Sequence, residues 1–385
     1  MVGDSAALGF ALTLLATGLV SGCRESSEAS RSEAPPFVFR SLDLNQRRPD
    51  GQRDWDLTSP EARYELNSRT IRARRPTGIL YRNNKPNFSI SADLATVLND
   101  GELVVLEGSV QLKQLQNRPI LIQGDRLVWR PELSTMVINQ RPEALNSDSR
   151  LATQSLTFVQ TSNRLEFTGP TRLYRWEIKR SDDQTADTVI EATDGVWNLE
   201  SGRFQAEGPI KATRSSGRQL SASGLSGNTR QKLLDLQSPV EVVLEDERGT
   251  VSAGQTRWLY GTKQLKSSAP FLADLSDGKI RGDGFAIDER TTTAIIPKAC
   301  RLEQPGESLT ADRCSWNWKE ERVVADGDVE LRRDQLNQIT RASRLEGTVG
   351  EDGALRFGSP GERVRSRIKV ESESSSQPRR PPVSF

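Results

Sequence analysis

The sequence predicts an all-β fold: an elongated antiparallel β-jelly roll, or β-solenoid-like stack, of about ten two-strand repeats. Three observations predict it. Apolar and polar residues alternate at period two, turn dipeptides punctuate the chain at short intervals, and a small-residue anchor recurs about every 30 residues.

The anchors are Ala62, Ala92, Gly124, Ala152, Ala192, Ala222, Ala253, Gly282, Ala311 and Ala342. Their spacings are 30, 32, 28, 40, 30, 31, 29, 29 and 31, the single 40 being accounted for by the polar insertion SDDQTADT at 181–188. A Gly or Pro follows each anchor after 14 to 18 residues: Pro76, Gly108, Pro142, Gly169, Gly208, Pro239, Pro270, Pro297, Gly327 and Pro360. Each unit is expected to be two strands joined by a turn. In ISADLATVL-NDGE-VVLEGSVQL, Val104, Leu106, Val110 and Leu112 alternate with Val105, Glu107, Ser109 and Gln111. In RVVADGDVEL, Val323, Ala325, Val329 and Leu331 share one parity. Such alternation marks a strand with one face buried and one solvated.

Two further positions repeat. An aliphatic stands two residues before the anchor in seven units: Ile90, Ile122, Ile190, Leu220, Val251, Ile280 and Leu309. A tryptophan stands five residues after it in four: Trp129, Trp197, Trp258 and Trp316. These offsets have opposite parity, so a straight strand puts them on opposite faces. A β-bulge between them brings both onto one face, and the polar neighbours Asp194, Gln255, Arg257, Arg313 and Ser315 favour the bulge. With Leu106, Val110 and Val329 these residues form the candidate groove; an ordinary filled core would use the same residues.

Composition narrows the function classes. The chain has 385 residues, 53 Lys+Arg against 52 Asp+Glu, three cysteines and no histidine. Near-neutral charge gives no general attraction to nucleic acid. The absence of histidine removes Ser-His, Cys-His and zinc-His chemistry. Three cysteines cannot complete a four-thiolate metal site. No phosphate-binding glycine loop or nucleophile elbow is present, and the carboxylates form no repeated cluster. A non-enzymatic chain without cofactor or metal is expected.

At the N-terminus, AALGFALTLLATGLV (6–20) is short for a spanning helix and matches the apolar core of a signal peptide. LVSGC follows and resembles a lipobox, with Cys23 the acylated residue; an uncleaved anchor is the other reading. The expected organisation is a signal peptide at 1–22, a lipidated Cys and Ser/Glu-rich tether at 23–36, jelly-roll repeats at 37–180 and 189–370, and a disordered tail at 371–385. Cys300 and Cys314 flank the turn at Gln304–Ser308 and are candidates for a disulfide across a hairpin in an oxidising compartment. Two free, buried thiols fit the pattern as well.

Residues 37–66, FVFRSLDLNQRRPDGQRDWDLTSPEARYEL, resemble the opening of LptC-type lipopolysaccharide export proteins through Phe39, Leu42, Gln46, Gly51, Trp55, Leu57 and the Ala62-x-Tyr64 step. The later units, such as Ala92…Gly108-Ser109-Val110 and Ala311…Gly327-Asp328-Val329, are similar to the repeating strands of LptA, LptC and the periplasmic part of LptD. The resemblance implies a jelly roll whose interior shields the lipid A acyl chains of lipopolysaccharide. It also implies a periplasmic location at a membrane, the inner membrane favoured. The implied partners are the inner-membrane ABC transporter of the export system and an LptA-like or LptD-like jelly roll joined through edge strands. The chain departs from the family in having about twice the units of a compact member, and a lipobox where LptC has a transmembrane anchor. The competing expectation is a non-catalytic β-repeat envelope scaffold lipoprotein; a carbohydrate-acting enzyme on a β-solenoid would need a clustered carboxylate face that the repeats lack.

Overall fold

The computed structural model describes residues 37–115, 119–181, 183–348, 354–358 and 364–368. Cys23, the 1–22 segment, the tether, Pro360 and the tail lie outside the described residues. Pairing is antiparallel in every ladder from Phe37–Phe39 to Arg365–Ile368, so the chain is the predicted all-β, antiparallel jelly-roll stack.

The strands form one sheet folded along its length into two layers. The first layer begins with Leu42–Arg47, Arg53–Ser59, Thr77–Arg82 and Lys85–Ser91. The second begins with Phe37–Phe39, Glu61–Glu65, Thr70–Arg74 and Leu94–Leu98. Eight long strands run through both: Leu103–Gln114, Leu121–Arg130, Arg203–Arg214, Gln219–Asn228, Gln264–Leu275, Gly278–Asp288, Arg322–Arg333 and Gln338–Thr348. Each expected unit of two strands is therefore two passes of chain, each bent at a corner between layers. A pass has to bend because a single flat sheet would leave its apolar face in water.

The recurring anchors and the recurring Gly or Pro are the two sides of that corner. Register shifts fall between Gly124 and Arg126, Glu207 and Ile210, Ser267 and Pro270, and Asp326 and Val329. Each shift changes the parity of one strand, so residues before and after the corner can both point inward. Glycine is required at two of these corners for a further reason. Gly108 and Gly327 have φ of +74° and +77°, and a Cβ on either would collide with the side chain of Asp93 or Asp312.

At the far ends from the corner, asparagines organise the second-layer turns. Asn198 accepts from the Ser201 N–H (2.7 Å) and donates to the Ser162 carbonyl (3.1 Å) one turn earlier. Asn228 donates to Ser201 O at 3.3 Å and Asn317 to Thr291 O at 3.2 Å in the same way. One side chain thus shapes its own turn and ties it to the preceding one.

The interior holds two apolar clusters. The larger extends from Trp55 to Val240, the smaller from Ile296 to Leu345. The smaller includes the Cys300–Cys314 disulfide, whose Cα atoms are 5.9 Å apart. The expected hairpin geometry is corrected here: Cys300 pairs with Ala311 in the first layer, whereas Cys314 pairs with Ile296 and Ala325 in the second. The corner at Ala311–Arg313 separates the two strands, so the bond staples one layer to the other. In unfolded, unreduced protein neither Cys300 nor Cys314 should react with a thiol reagent. Reduction should lower the unfolding free energy by about 3 kcal/mol for a loop of this length. Labelling of both residues before reduction would contradict this assignment.

Candidate functional site

The space between the layers is lined by the residues whose sequence positions repeat. Ile90, Val110, Ile122, Ile190, Leu220, Val251, Ile280, Leu309 and Val329 belong to first-layer segments, and Leu106, Trp129, Trp197, Trp258 and Trp316 to second-layer segments. Between Ile122 and Trp129 a bulge changes the parity, whereas Ile190 and Trp197, Val251 and Trp258, and Leu309 and Trp316 stand on separate strands, so there a break in the strand takes the chain from one layer to the other.

Their environments differ sharply along the chain. In the N-terminal half the interior is filled. Ile122 and Trp129 are 0% and 1% exposed, and Ile90, Leu106 and Val110 are equally buried. Rings interlock across the layers there, Trp55 with Trp129 at 5.0 Å between centroids and Phe88 with Phe158 at 4.9 Å. Between the two clusters the same positions are only half-buried: Val242, Val251, Trp258, Leu265, Phe271, Ile280 and Ile287. Outward neighbours such as Arg257, Lys266, Leu272 and Arg281 are exposed. Ala273 and Phe285 in the same stretch are buried, and Phe271 meets Phe285 at 5.3 Å, so the interior there is partly filled. Farther on, Leu309 and Val329 are buried, and Trp316 is 41% exposed beside Trp318.

The indole N–H groups of Trp55, Trp129 and Trp197 are buried without an acceptor. Each such group costs about 1–3 kcal/mol, which the burial of its large ring offsets.

Opposite the corner the trough has a mouth, where hairpin tips of the two layers meet. Polar side chains bridge it. Gln160 donates to Asp54 at 3.5 Å, Asn87 to Asn163 at 2.9 Å, and Arg82 pairs with Glu200 at 2.7 Å. Farther along, the Arg175 guanidinium lies 4.1 Å from the centre of the Tyr260 ring, Lys263 pairs with Glu177 at 3.8 Å, and Glu289 sits 3.9 Å and 3.8 Å from Arg214 and Arg218. Arg214 also holds Glu177 at 2.7 Å, and Arg218 grips Glu245 with two bonds of 2.9 Å. None of these mouth residues was singled out in the sequence. Partners facing each other across the mouth are 71 or more positions apart, and only the twist of the layers brings them together.

Among the described residues no three His, Cys, Asp or Glu side chains gather in a metal-binding arrangement. The perturbed carboxylates are held below their ordinary range by arginine neighbours, as at Glu303, Glu330 and Glu346, or by Gln264, as at Asp288. They are ion-paired or hydrogen-bonded surface groups, not poised acids.

The family model described as "Lipopolysaccharide-assembly, LptC-related" matches residues 6–172. Among solved structures, a similar chain is LptH from Pseudomonas aeruginosa, described as the LptA homologous periplasmic component of the conserved lipopolysaccharide transport device. It shares 8% identity, with coverage of 34% of this chain and 86% of that one, at a TM-score of 0.26. No curated protein matches the chain.

The arginine grip on Glu245 has a measurable consequence. Hydrogen bonds from Arg218, helped by the residue's own backbone N–H, hold the Glu245 carboxyl at about 2 rather than 4.5. A depressed carboxyl stabilises the fold fully above its unfolded value and loses that contribution as pH falls through its folded value. The stability advantage of the wild type over Glu245→Gln should therefore be constant above pH 4.5 and shrink between 4.5 and about 2. Denaturant unfolding across that range measures it, and a pH-independent difference would contradict the pairing.

Proposed function

We propose that the chain is a periplasmic lipopolysaccharide-transport protein, a reading supported by the match of residues 6–172 to the LptC-related family model. The trough between its layers shields lipid A acyl chains on the way from the inner to the outer membrane. The observation that carries this reading is the stretch between the two core clusters, where inward Val251, Trp258, Phe271 and Ile280 stay half-open to solvent. A folded domain gains by closing such a stretch, at roughly 25 cal/mol per Å² of apolar surface removed from water. An acyl chain lying along it recovers that energy without any catalytic group.

The ends of the sheet suit a bridge. Among the described residues Phe37–Phe39 pairs with Glu61–Glu65 alone, and Phe37, Val38 and Phe39 are all exposed. An edge strand of this kind offers unpaired backbone groups for strand addition. At the other end Leu355–Gly358 and Arg365–Ile368 are the last paired strands among the described residues. Through these edges the chain would meet the inner-membrane ABC transporter of the export system and an LptA-like or LptD-like jelly roll. Cys23, acylated, or an N-terminal anchor would hold it at a membrane, the inner one favoured.

The filled N-terminal half favours a second reading, a non-catalytic envelope scaffold lipoprotein, because Trp129 and Phe158 leave no room beside them. Site-specific photo-crosslinking separates the two. A photoreactive residue at Trp258 or Ile280 should capture lipopolysaccharide, and one at outward-facing Arg257 or Glu107 should not. Equal capture at inner and outer positions, or none at any, leaves the scaffold.

A further inference from the structure

The two apolar clusters are unequal. Among the described residues the larger buries 35 side chains, Trp55, Phe88, Trp129, Phe158 and Phe167 among them, and the smaller buries ten, none of them aromatic. Cys300 and Cys314 are two of those ten, and Ala311 and Ala325 two more. Burying an alanine removes little apolar surface from water, so the smaller cluster has far less to hold its layers together.

The smaller cluster also carries the end of the sheet. Leu355–Gly358 and Arg365–Ile368 pair with Gln338–Thr348, and that strand joins the rest of the fold through Arg322–Arg333. Arg322–Arg333 in turn pairs with Glu307–Ala311 in the first layer and with Arg313–Asn317 in the second. The last units of a stacked array have a neighbour on one side only and are the first to open. The Cys300–Cys314 bond ties the two layers together immediately before these last strands.

Once made, the bond is closed off. Cys300 and Cys314 are 2% and 4% exposed, so a protein oxidant or reductant has no path to either sulfur in the finished fold. The bond therefore forms while the layers are still apart.

We propose that the Cys300–Cys314 bond is a maturation lock for the C-terminal end: the strands of 322–368 settle into the sheet only in the oxidised chain, so the edge they present exists only after passage into an oxidising compartment. The chemistry is thiol–disulfide exchange with an oxidised dithiol protein of that compartment. One cysteine thiolate attacks the oxidant's disulfide, the second cysteine attacks the resulting mixed disulfide, the Cys300–Cys314 bond forms, and the oxidant leaves as its dithiol. Closure of the layers then buries the bond. That this edge receives a partner rests on the transport reading; the lock itself does not.

The test is backbone hydrogen exchange, read by mass spectrometry on the full-length chain in three forms. These are the oxidised wild type, the wild type refolded with a thiol reductant, and Cys300→Ala with Cys314→Val, which keeps the cluster apolar without the bond. Amides of Arg322–Arg333 and Gln338–Thr348 should exchange about 100-fold faster in the two unbonded forms than in the oxidised chain, the loss expected for a loop of this length. Amides of Leu121–Arg130, inside the larger cluster, should keep their protection in all three. Unchanged protection of Arg322–Arg333 and Gln338–Thr348 without the bond would overturn the lock. Equal loss of protection at Leu121–Arg130 would overturn it too, because the bond would then stabilise the whole sheet and not its end. Either failure leaves the transport reading untouched.

Discussion

The structure depends on how a β-strand turns a corner without losing its inward face. A strand alternates faces at every residue, so a pass of chain crossing two layers must change parity or present its second half backwards. Here the shift is made by bulges at Gly124–Arg126, Glu207–Ile210, Ser267–Pro270 and Asp326–Val329. Small anchors let the layers approach, glycines at positive φ make the bend, and prolines mark points where the ladder is interrupted anyway. Ile122 and Trp129 both face the interior only because the bulge lies between them. Without it, a layer would turn its apolar residues to water and the fold would have no core.

The same corner repeated along the chain does not give the same interior. Where bulky rings meet across the layers, as Trp55 meets Trp129 and Phe88 meets Phe158, the trough is a packed core. Where the inward residues are Val242, Val251, Leu265 and Ile280, it remains half-open. The backbone plan is uniform, and the volume of the inward side chains decides which parts are core and which are groove. Beyond the open part the chain closes again, with the Cys300–Cys314 bond joining the layers beside Ala311 and Ala325. A covalent link there, next to small side chains, supplies what their limited apolar area cannot.

Much of this plan was legible in the sequence. Period-two alternation identified the strands, and the roughly 30-residue recurrence picked out small residues, read as strand openings, that the structure places at the corners. Opposite parity at the aliphatic and tryptophan positions pointed to a bulge, which is found between Ile122 and Trp129, while in the other three units a break between two strands does the same work. A disulfide was one of two readings of Cys300 and Cys314, and the hairpin geometry expected for it was wrong, because the spacing of 14 residues fits a hairpin as well as a corner between layers. The asparagine turns were visible and passed over: Asn198 and Asn317 directly follow Trp197 and Trp316. Two features could not be read. Ile122 and Ile280 occupy equivalent sequence positions, yet one is buried and the other half-open, since exposure is set by the facing layer. The mouth bridges join residues such as Arg175 and Tyr260, whose proximity follows from the twist of the sheet and from no local pattern.

The central claim is that the half-open stretch is kept open for lipid. It is tested most directly by purifying the full-length chain from its native envelope in mild detergent and weighing it by native mass spectrometry. The account predicts a population carrying whole lipopolysaccharide molecules, which Val251→Asp and Ile280→Asp, with native β-sheet content verified, should abolish. Protein found free of lipopolysaccharide, or carrying it equally after those substitutions, would contradict the account.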